Sequence, residues 1–501
     1  MNPFDGFAAC PRTNAPMKLH HLRISILALL SASADAHIFV QPYTLPVPFA
    51  MYAYGATGAL LLSFILVGLF TAAPSFGHVE RPSKAFVTAG TGSQPWVKLC
   101  RLSSVTMLVL CILTGFIGSQ NAFLNFNMTF FWVGFVLAVP YLVALVGDFY
   151  APVNPWKAVI LWFAKATGIS FEGCLPYPAW LGYVPGLVLY MVFIWLELFG
   201  QLQPRGLSGC LAAYSLVTFL GAYLFGVRAW FQYGEFFGVF LRLLGKMSPR
   251  ERSWDLEEAV RTDGHRWRPP FIGLLDEPAS HMSLVLFILF MLSSTAFDGL
   301  HSTLPWVSVY WKDIYPNLAS WLRPAPTREF LLSTQIYYGW QWLSLALSPL
   351  VYLVVFSVSV WVLKCLTQSP LSVRELVLRF SMALVPIAFV YHLTHYYTLL
   401  LEQGGQMVKL VSDPFGVGWN LFGTAHTTIQ PLMLDVGGIW LTQVALILFG
   451  HIVSVYLAHV EALRIFASPR RALVSQLPML ALMMMFTNLG LWILSLPIAG
   501  G

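Results

Sequence analysis

Residues 281–301 read HMSLVLFILFMLSSTAFDGLH, and this stretch decides the fold class of the chain. A helix that crosses a bilayer needs about 20 predominantly apolar residues. Apart from histidine, Asp298 is the one ionisable side chain here, so residues 281–299 predict a membrane-spanning helix. If that helix continues through Gly299, Asp298 and His301 share one face near its end. The stretch therefore predicts both a membrane protein and polar groups inside it.

The composition of the whole chain also indicates a membrane protein. Of its 501 residues, 57% are hydrophobic and 10% are charged, and the mean hydropathy is +0.69. Soluble proteins carry roughly 25% charged residues. The net charge of +6 does not indicate a nucleic-acid partner, because the basic residues fall in loops between apolar segments. The six cysteines are scattered without a CxxC pair, which indicates neither a zinc knuckle nor a disulfide framework.

We predict an all-α, polytopic protein of the lipid bilayer, with about ten spanning helices in one transmembrane domain, 37–501. The predicted spans are 49–72, 103–120, 127–147, 178–200, 207–227, 281–299, 343–365, 376–401, 438–460 and 473–497. The longest polar segment, about 228–280, is interpreted as a cytoplasmic or interfacial loop that starts with an amphipathic helix on the membrane surface. A second interfacial helix is predicted at 154–166.

The N-terminal segment has the order of a secretory signal peptide. Residues 17–37 read MKLHHLRISILALLSASADAH, with a basic start, a short apolar run and an A-x-A site that ends at Ala36. We therefore assign residues 1–36 to a signal peptide, with Met17 as an alternative start and His37 as the first mature residue. Lys and Arg are concentrated in alternate loops, which predicts a multi-pass protein of the bacterial inner membrane with a periplasmic N-terminus.

Two pairs of ionisable side chains are predicted to meet at one level of the membrane. Residues 388–397 read AFVYHLTHYY, and His392 and His395 lie three residues apart in the outer third of the span 376–401. Ionisable groups in a span are costly and usually face the bundle interior or a water-filled cavity. The predicted catalytic residues, all on the periplasmic side, are Asp298, His301, His392 and His395.

Imidazole and carboxylate groups at this spacing also indicate a divalent metal site, for zinc, manganese, iron or copper. The candidate ligands are His37, Asp298, His301, His392, His395 and His451, and His426 lies on the same predicted side. A bound metal would lower the pKa of its water to about 7 and polarise an ester oxygen. The alternative interpretation is that these side chains form hydrogen bonds between helices. Glu197, at a predicted helix end, is expected to face water.

Several longer motifs resemble a family of bacterial multi-spanning membrane proteins. They are AHIFVQPYTLPVPFAMYAYGATGALLLSF (36–64), GDFYAPVNPWKAV (147–159), WLELFG (195–200), TAFDGL (295–300), SDPFGVGWNLFGTA (412–425) and GHIVSVYLAHVEALRIF (450–466). Members of this family are labelled fenitrothion hydrolase, and the resemblance covers nearly all of the mature chain. The residues that match its motifs are His37, Asp298, His392, His451 and His459, whereas His301 and His395 lie outside them.

The resemblance implies a membrane-embedded hydrolase of organophosphorus triesters. Its substrates would be small, apolar aryl dialkyl phosphorothioates, which release a nitrophenol when metal-bound hydroxide attacks phosphorus. Two alternatives stay open: a transporter or copper-handling protein that uses the same histidines, and a scaffold subunit that assembles with a paralogous membrane protein. No inverted repeat is evident in the sequence, which counts against a typical secondary transporter.

The signal-peptide assignment makes a direct prediction. Mature protein extracted from membranes should begin at His37, because the A-x-A site directly precedes it. Intact-mass measurement or N-terminal sequencing checks this start. Protein that retains residues 17–36 would contradict the prediction and would also remove the basis for a metal chelate at the N-terminus.

Overall fold

The computed structural model describes residues 48–71, 95–251, 266–322, 329–427, 435–466 and 468–496. In this part of the chain the regular secondary structure is helical, except for one antiparallel pair of two-residue strands, β1 (Arg250–Glu251) and β2 (Arg266–Trp267). The predicted all-α class is therefore confirmed. The predicted signal peptide and His37 lie outside the described residues.

The described helices follow one another in short connections. They are α1 (Phe49–Thr71), α2 (Pro95–Ile117), α3 (Phe126–Val146), α4 (Tyr150–Val153), α5 (Pro155–Thr167), α6 (Val184–Phe199), α7 (Pro204–Phe225), α8 (Val227–Ala229), α9 (Phe236–Gly245), α10 (Met282–His301), α11 (Leu304–Ser308), α12 (Tyr315–Leu322), α13 (Glu329–Thr367), α14 (Val373–Phe380), α15 (Val385–Gln403), α16 (Met407–Ser412), α17 (Val436–Ile465) and α18 (Pro469–Ser495). Within α3, residues Phe130–Ala138 are π-helical, and further π turns lie at Trp230–Gly234 and Val309–Ile314. Short 3-10 turns lie at Ile272–Leu275, Ser381–Leu384 and Gly404–Gln406.

Within the described residues, nine helical stretches are long and apolar enough to cross a membrane. They are Phe49–Leu66, Pro95–Ile117, Phe126–Val146, Pro204–Phe225, Met282–His301, Leu331–Thr367, Val373–Ser412, Gly437–Ile465 and Pro469–Ser495. Each overlaps one predicted span. The remaining predicted span, 178–200, contains α6, which has only 16 residues because residues 179–183 form turns. At 1.5 Å per residue α6 is about 24 Å long, less than the ~30 Å hydrocarbon core.

The helices α10 and α15 lie at the centre of the bundle. The spanning window of α10 is 72% buried, as is that of the stretch from α14 to α16, against 17% for α2. α10 contacts α6, α13 and α15, and α15 also contacts α17. Membrane helices associate through close packing of small residues and hydrogen bonds, since lipid is as apolar as leucine. A Cβ on Gly490 of α18 would lie 2.0 Å from the Tyr391 hydroxyl oxygen, so this crossing requires glycine.

The helix predicted to lie on the membrane surface, α9, is instead packed inside the protein. Its buried side chains include Phe236, Phe237, Val239, Leu241, Leu243 and Leu244, and it contacts α3 and α6. Apolar residues occupy most of its circumference, which is the pattern of a buried helix rather than of a surface helix. The helix predicted at 154–166 is α5, and it is amphipathic, with Trp156 buried and Trp162 exposed.

The packing of α7 against the π turn makes a prediction about two of its glycines. A Cβ on Gly221 would lie 2.3 Å from the Trp230 ring, whereas a Cβ on Gly209 would meet nothing within 4 Å. Gly221→Ala should therefore lower the free energy of unfolding in detergent by about 1–3 kcal/mol. Gly209→Ala should leave it unchanged or raise it by up to about 1 kcal/mol, because alanine favours helix. Thermal unfolding followed by fluorescence checks the pair, and equal effects would contradict the described packing.

Candidate functional site

Three oxygen-bearing side chains meet where α6, α10 and α15 approach one another. The Tyr396 hydroxyl of α15 lies 2.9 Å from Glu197 Oε1 of α6 and 2.7 Å from Asp298 Oδ2 of α10. All three residues lie in the C-terminal halves of their helices. The three helices therefore run in the same direction and end at a similar level.

Asp298 also pairs with a histidine of α15. His395 Nε2 lies 2.7 Å from Asp298 Oδ2, and the Asp298 side chain is only 3% exposed. One carboxylate oxygen thus contacts both an imidazole and a phenol, and both can donate hydrogen bonds to it. Two residues predicted at one level from helical spacing are in direct contact, while their chemical role stays a prediction.

His301 lies beside Asp298 but has a different environment. α10 continues through Gly299 and ends at His301. The His301 Nδ1 atom lies 2.8 Å from the Asp298 carbonyl oxygen and 4.0 Å from Asp298 Oδ1. Its ring stacks on Phe297 with the centroids 5.5 Å apart and meets Phe199 edge-on. His301 therefore closes the end of α10, and His395 is the histidine nearer to the Asp298 carboxylate.

His392 lies on the same side of α15 as Tyr396, and the two ring centroids are 5.0 Å apart. Its Nδ1 atom lies 3.3 Å from the Tyr141 hydroxyl of α3. The tautomer of this imidazole decides which partner donates. Since Tyr141 contacts Nδ1, the second ring nitrogen, Nε2, is the one left for a bound ligand.

These polar groups border a pocket between α3, α6, α9, α10 and α15. Its apolar and aromatic lining consists of Phe135, Val136, Pro140, Tyr190, Phe193, Ile194, Leu198, Phe236, Phe237, Phe240 and Leu241. Its polar lining consists of Glu197, Ser294, Thr295, Asp298, His392 and Tyr396. Neither Lys nor Arg occurs among these lining residues. Apolar walls with a few convergent polar groups are typical of a small-molecule site.

The other predicted ligands lie elsewhere in the described part of the chain. His451 is fully buried in α17, where its Nδ1 lies 2.8 Å from the Ile447 carbonyl oxygen and its ring meets that of Tyr391. His426 is exposed in the segment after α16. The six candidate ligands are therefore not gathered at one point in the residues that the structure describes.

The contacts of Asp298 bear on the predicted metal. In the segments that the structure describes, no three His, Cys, Asp or Glu side chains are arranged to hold a metal ion. Asp298 and His395 contact each other at 2.7 Å instead. The divalent metal therefore stays a prediction from the sequence, and no step of the chemistry proposed for the pocket depends on it.

Sequence reasoning missed Glu197, Tyr396 and Tyr141. The expectation that Glu197 faces water was wrong, because it lines the pocket and contacts Tyr396. Glu197 is the one charged residue in the apolar run of α6, and an ionisable group in such a run indicates a functional site. That signal could have identified it. The two tyrosines had no comparable signal, since tyrosine is common where helices meet the membrane surface.

Comparison of the chain with models of protein families, with curated proteins and with solved structures found no match. The class of the protein therefore rests on its own fold and pocket. The described residues form an all-α protein with nine candidate spans, which indicates a multi-pass membrane protein. Its most distinctive feature is a cluster of carboxyl, imidazole and phenol groups at an apolar pocket.

Proposed function

We propose that this chain is a membrane-embedded hydrolase of organophosphorus triesters such as fenitrothion. The observation that carries the proposal is that His392, Tyr396, Asp298 and Glu197 line one apolar, aromatic pocket. Aryl dialkyl phosphorothioates are uncharged and apolar, so they partition into the bilayer and suit such walls. The resemblance of the sequence motifs to the fenitrothion hydrolase family supports the same substrate class.

His392 is the residue proposed to activate water. Its Nε2 atom would accept a proton from a water molecule while the water oxygen forms a bond to phosphorus. The bond from phosphorus to the aryl oxygen then breaks, and its electron pair leaves on the nitrophenolate. Tyr141, 3.3 Å from Nδ1, would hold the ring in place. The leaving group is stable near neutral pH, so positioning and hydrogen bonds to the developing charge suffice.

Location and partners form part of the proposal. The positive-inside pattern supports a bacterial inner-membrane protein whose pocket lies towards the periplasm. A paralogous membrane subunit is an added component of the proposal. A scaffold role without activity would be the alternative if hydrolysis required catalytic residues from that partner.

The second candidate function is transport of protons or metal ions. One observation favours it: two carboxyl groups, Glu197 and Asp298, contact the same hydroxyl inside helices of a membrane protein, at 2.9 and 2.7 Å. Carboxyl and histidine chains at such depth occur in proton relays of pumps and transporters. Proton or copper flux in proteoliposomes, without ester hydrolysis, would favour this candidate.

Hydrolysis is tested directly with membranes that contain the protein. They should release nitrophenol from fenitrothion, and His392→Ala and Asp298→Ala should each lower kcat/KM at least about tenfold, roughly 1.4 kcal/mol. His459→Ala is the control and should have a much smaller effect, because His459 is buried in α17 and is not among the residues that line the pocket. Release of nitrophenol is followed by absorbance, with expression matched and any paralogous subunit present.

Full activity in both pocket variants would leave the proposed mechanism without its residues. Strong chelation tests the metal separately. Activity that is lost with a chelator and restored by one divalent cation would assign a metal to the site, whereas unchanged activity would support water activation by His392 alone.

Orientation is tested with reporter fusions. A reporter after Gly405 should indicate the periplasm and one after Arg250 the cytoplasm, because Lys and Arg are concentrated in the loops predicted inside. Alkaline phosphatase and green fluorescent protein fusions measure the two sides. The reverse result would place the pocket towards the cytoplasm.

A further inference from the structure

The contacts that join Glu197, Tyr396, Asp298 and His395 need more hydrogen atoms than the tyrosine and the histidine supply. The three distances along this chain of side chains are 2.9, 2.7 and 2.7 Å. Each is a hydrogen-bond distance, and each requires a hydrogen between the two atoms because facing lone pairs repel. The Tyr396 hydroxyl carries one hydrogen and His395 Nε2 carries one. The third hydrogen must therefore be on a carboxyl group.

The arrangement of donors indicates which carboxyl carries that hydrogen. Asp298 Oδ2 contacts both His395 and Tyr396, so it can accept two hydrogen bonds as a carboxylate. Glu197 contacts Tyr396, whose own hydrogen is then directed to Asp298. Glu197 completes the chain only by donating a hydrogen to the Tyr396 oxygen.

The charges around Glu197 favour the same assignment. The titratable groups that face it are Asp298 from α10, His392, His395 and Tyr396 from α15, and Tyr190 from its own helix. Neither Lys nor Arg lines the pocket to compensate for a second negative charge. Two ionised carboxylates joined through one oxygen atom repel each other strongly away from water.

Glu235 shows that burial alone does not have this consequence. Its side chain is fully buried, yet it accepts hydrogen bonds from the Tyr214 hydroxyl at 2.7 Å, the Gly238 N–H at 2.7 Å and the Asn154 amide at 3.0 Å. Each of these partners supplies its own hydrogen, so Glu235 completes its contacts as a carboxylate. The two glutamates differ in the number of donors around them.

We propose that Glu197 is a neutral carboxylic acid whose hydrogen is shared through Tyr396 with Asp298, forming a hydrogen-bond donor in the wall of the pocket. Such a wall suits a ligand with an acceptor oxygen or sulfur that gains negative charge, and it disfavours an organic cation. The identity of that acceptor as the phosphoryl oxygen or sulfur of a triester rests on the proposed function, whereas the neutral state of Glu197 does not. When water adds to phosphorus, the donor stabilises the developing charge without transferring its hydrogen.

Infrared difference spectroscopy of the purified full-length protein, in lipid at neutral pH, tests the neutral state. Glu197→Gln should remove the C=O band of a protonated carboxylic acid, a band that shifts in D₂O. Asp298→Asn and Glu235→Gln should retain it. Tyr396→Phe should shift the band without removing it, because the acid loses its hydrogen-bond partner. A band that is absent from the wild-type protein, or that only Glu235→Gln or Asp298→Asn removes, overturns the proposal.

Hydrolysis assays test the donor role independently of the neutral state. Gln keeps a neutral group with an N–H donor at this position, whereas Ala removes it, so Glu197→Ala should have a kcat at least about tenfold below that of Glu197→Gln. Equal kcat values would overturn the donor role even if the band is present. A wild-type protein that shows the band but no hydrolysis refutes the proposed function and leaves the neutral Glu197 established.

Discussion

The Asp298 carboxylate and its two partners on α15 are the constraint on which the centre of the structure depends. A charge at the centre of a membrane costs about 2.5–3.5 kcal/mol even on insertion scales, so it must be paired inside the protein. His395 and Tyr396 meet that need at 2.7 Å each. The helices α10 and α15 must then lie side by side in one register, and the most buried spanning stretches are the two that contain them. The site and the helix packing therefore have a common cause.

The sequence was a good guide to the helices and a weaker guide to their surroundings. Length and apolar composition predicted nine of the spans, because a bilayer imposes both properties on any helix that crosses it. The error at α9 has a physical reason: its apolar faces suit lipid and a groove between α3 and α6 equally well. The shortness of α6 depends on turns at 179–183 that hydropathy does not detect.

Only part of the site could be predicted from spacing. The positions of Asp298, His392 and His395 followed from the helical period and the common direction of two spans. Which atoms meet depends on the rotation of each helix, and this is why His395 contacts the carboxylate while His301 faces Phe297. His451 was expected near the same group, but its place on α17 directs it to Tyr391, on another face of α15.

The π-helical segment Phe130–Ala138 divides α3 into two parts with different neighbours. Before it, Asn127 bonds to the Pro204 carbonyl oxygen and to Ser208 of α7; after it, Tyr141 bonds to His392. A π turn accommodates a residue more than an α turn, so it changes the angle between the two parts without changing either one. Loss of a single residue between them would rotate Tyr141 away from His392 by about a quarter turn, since an α-helix advances about 100° per residue. In α3, the number of residues in this segment is as much a determinant of the pocket as their identity.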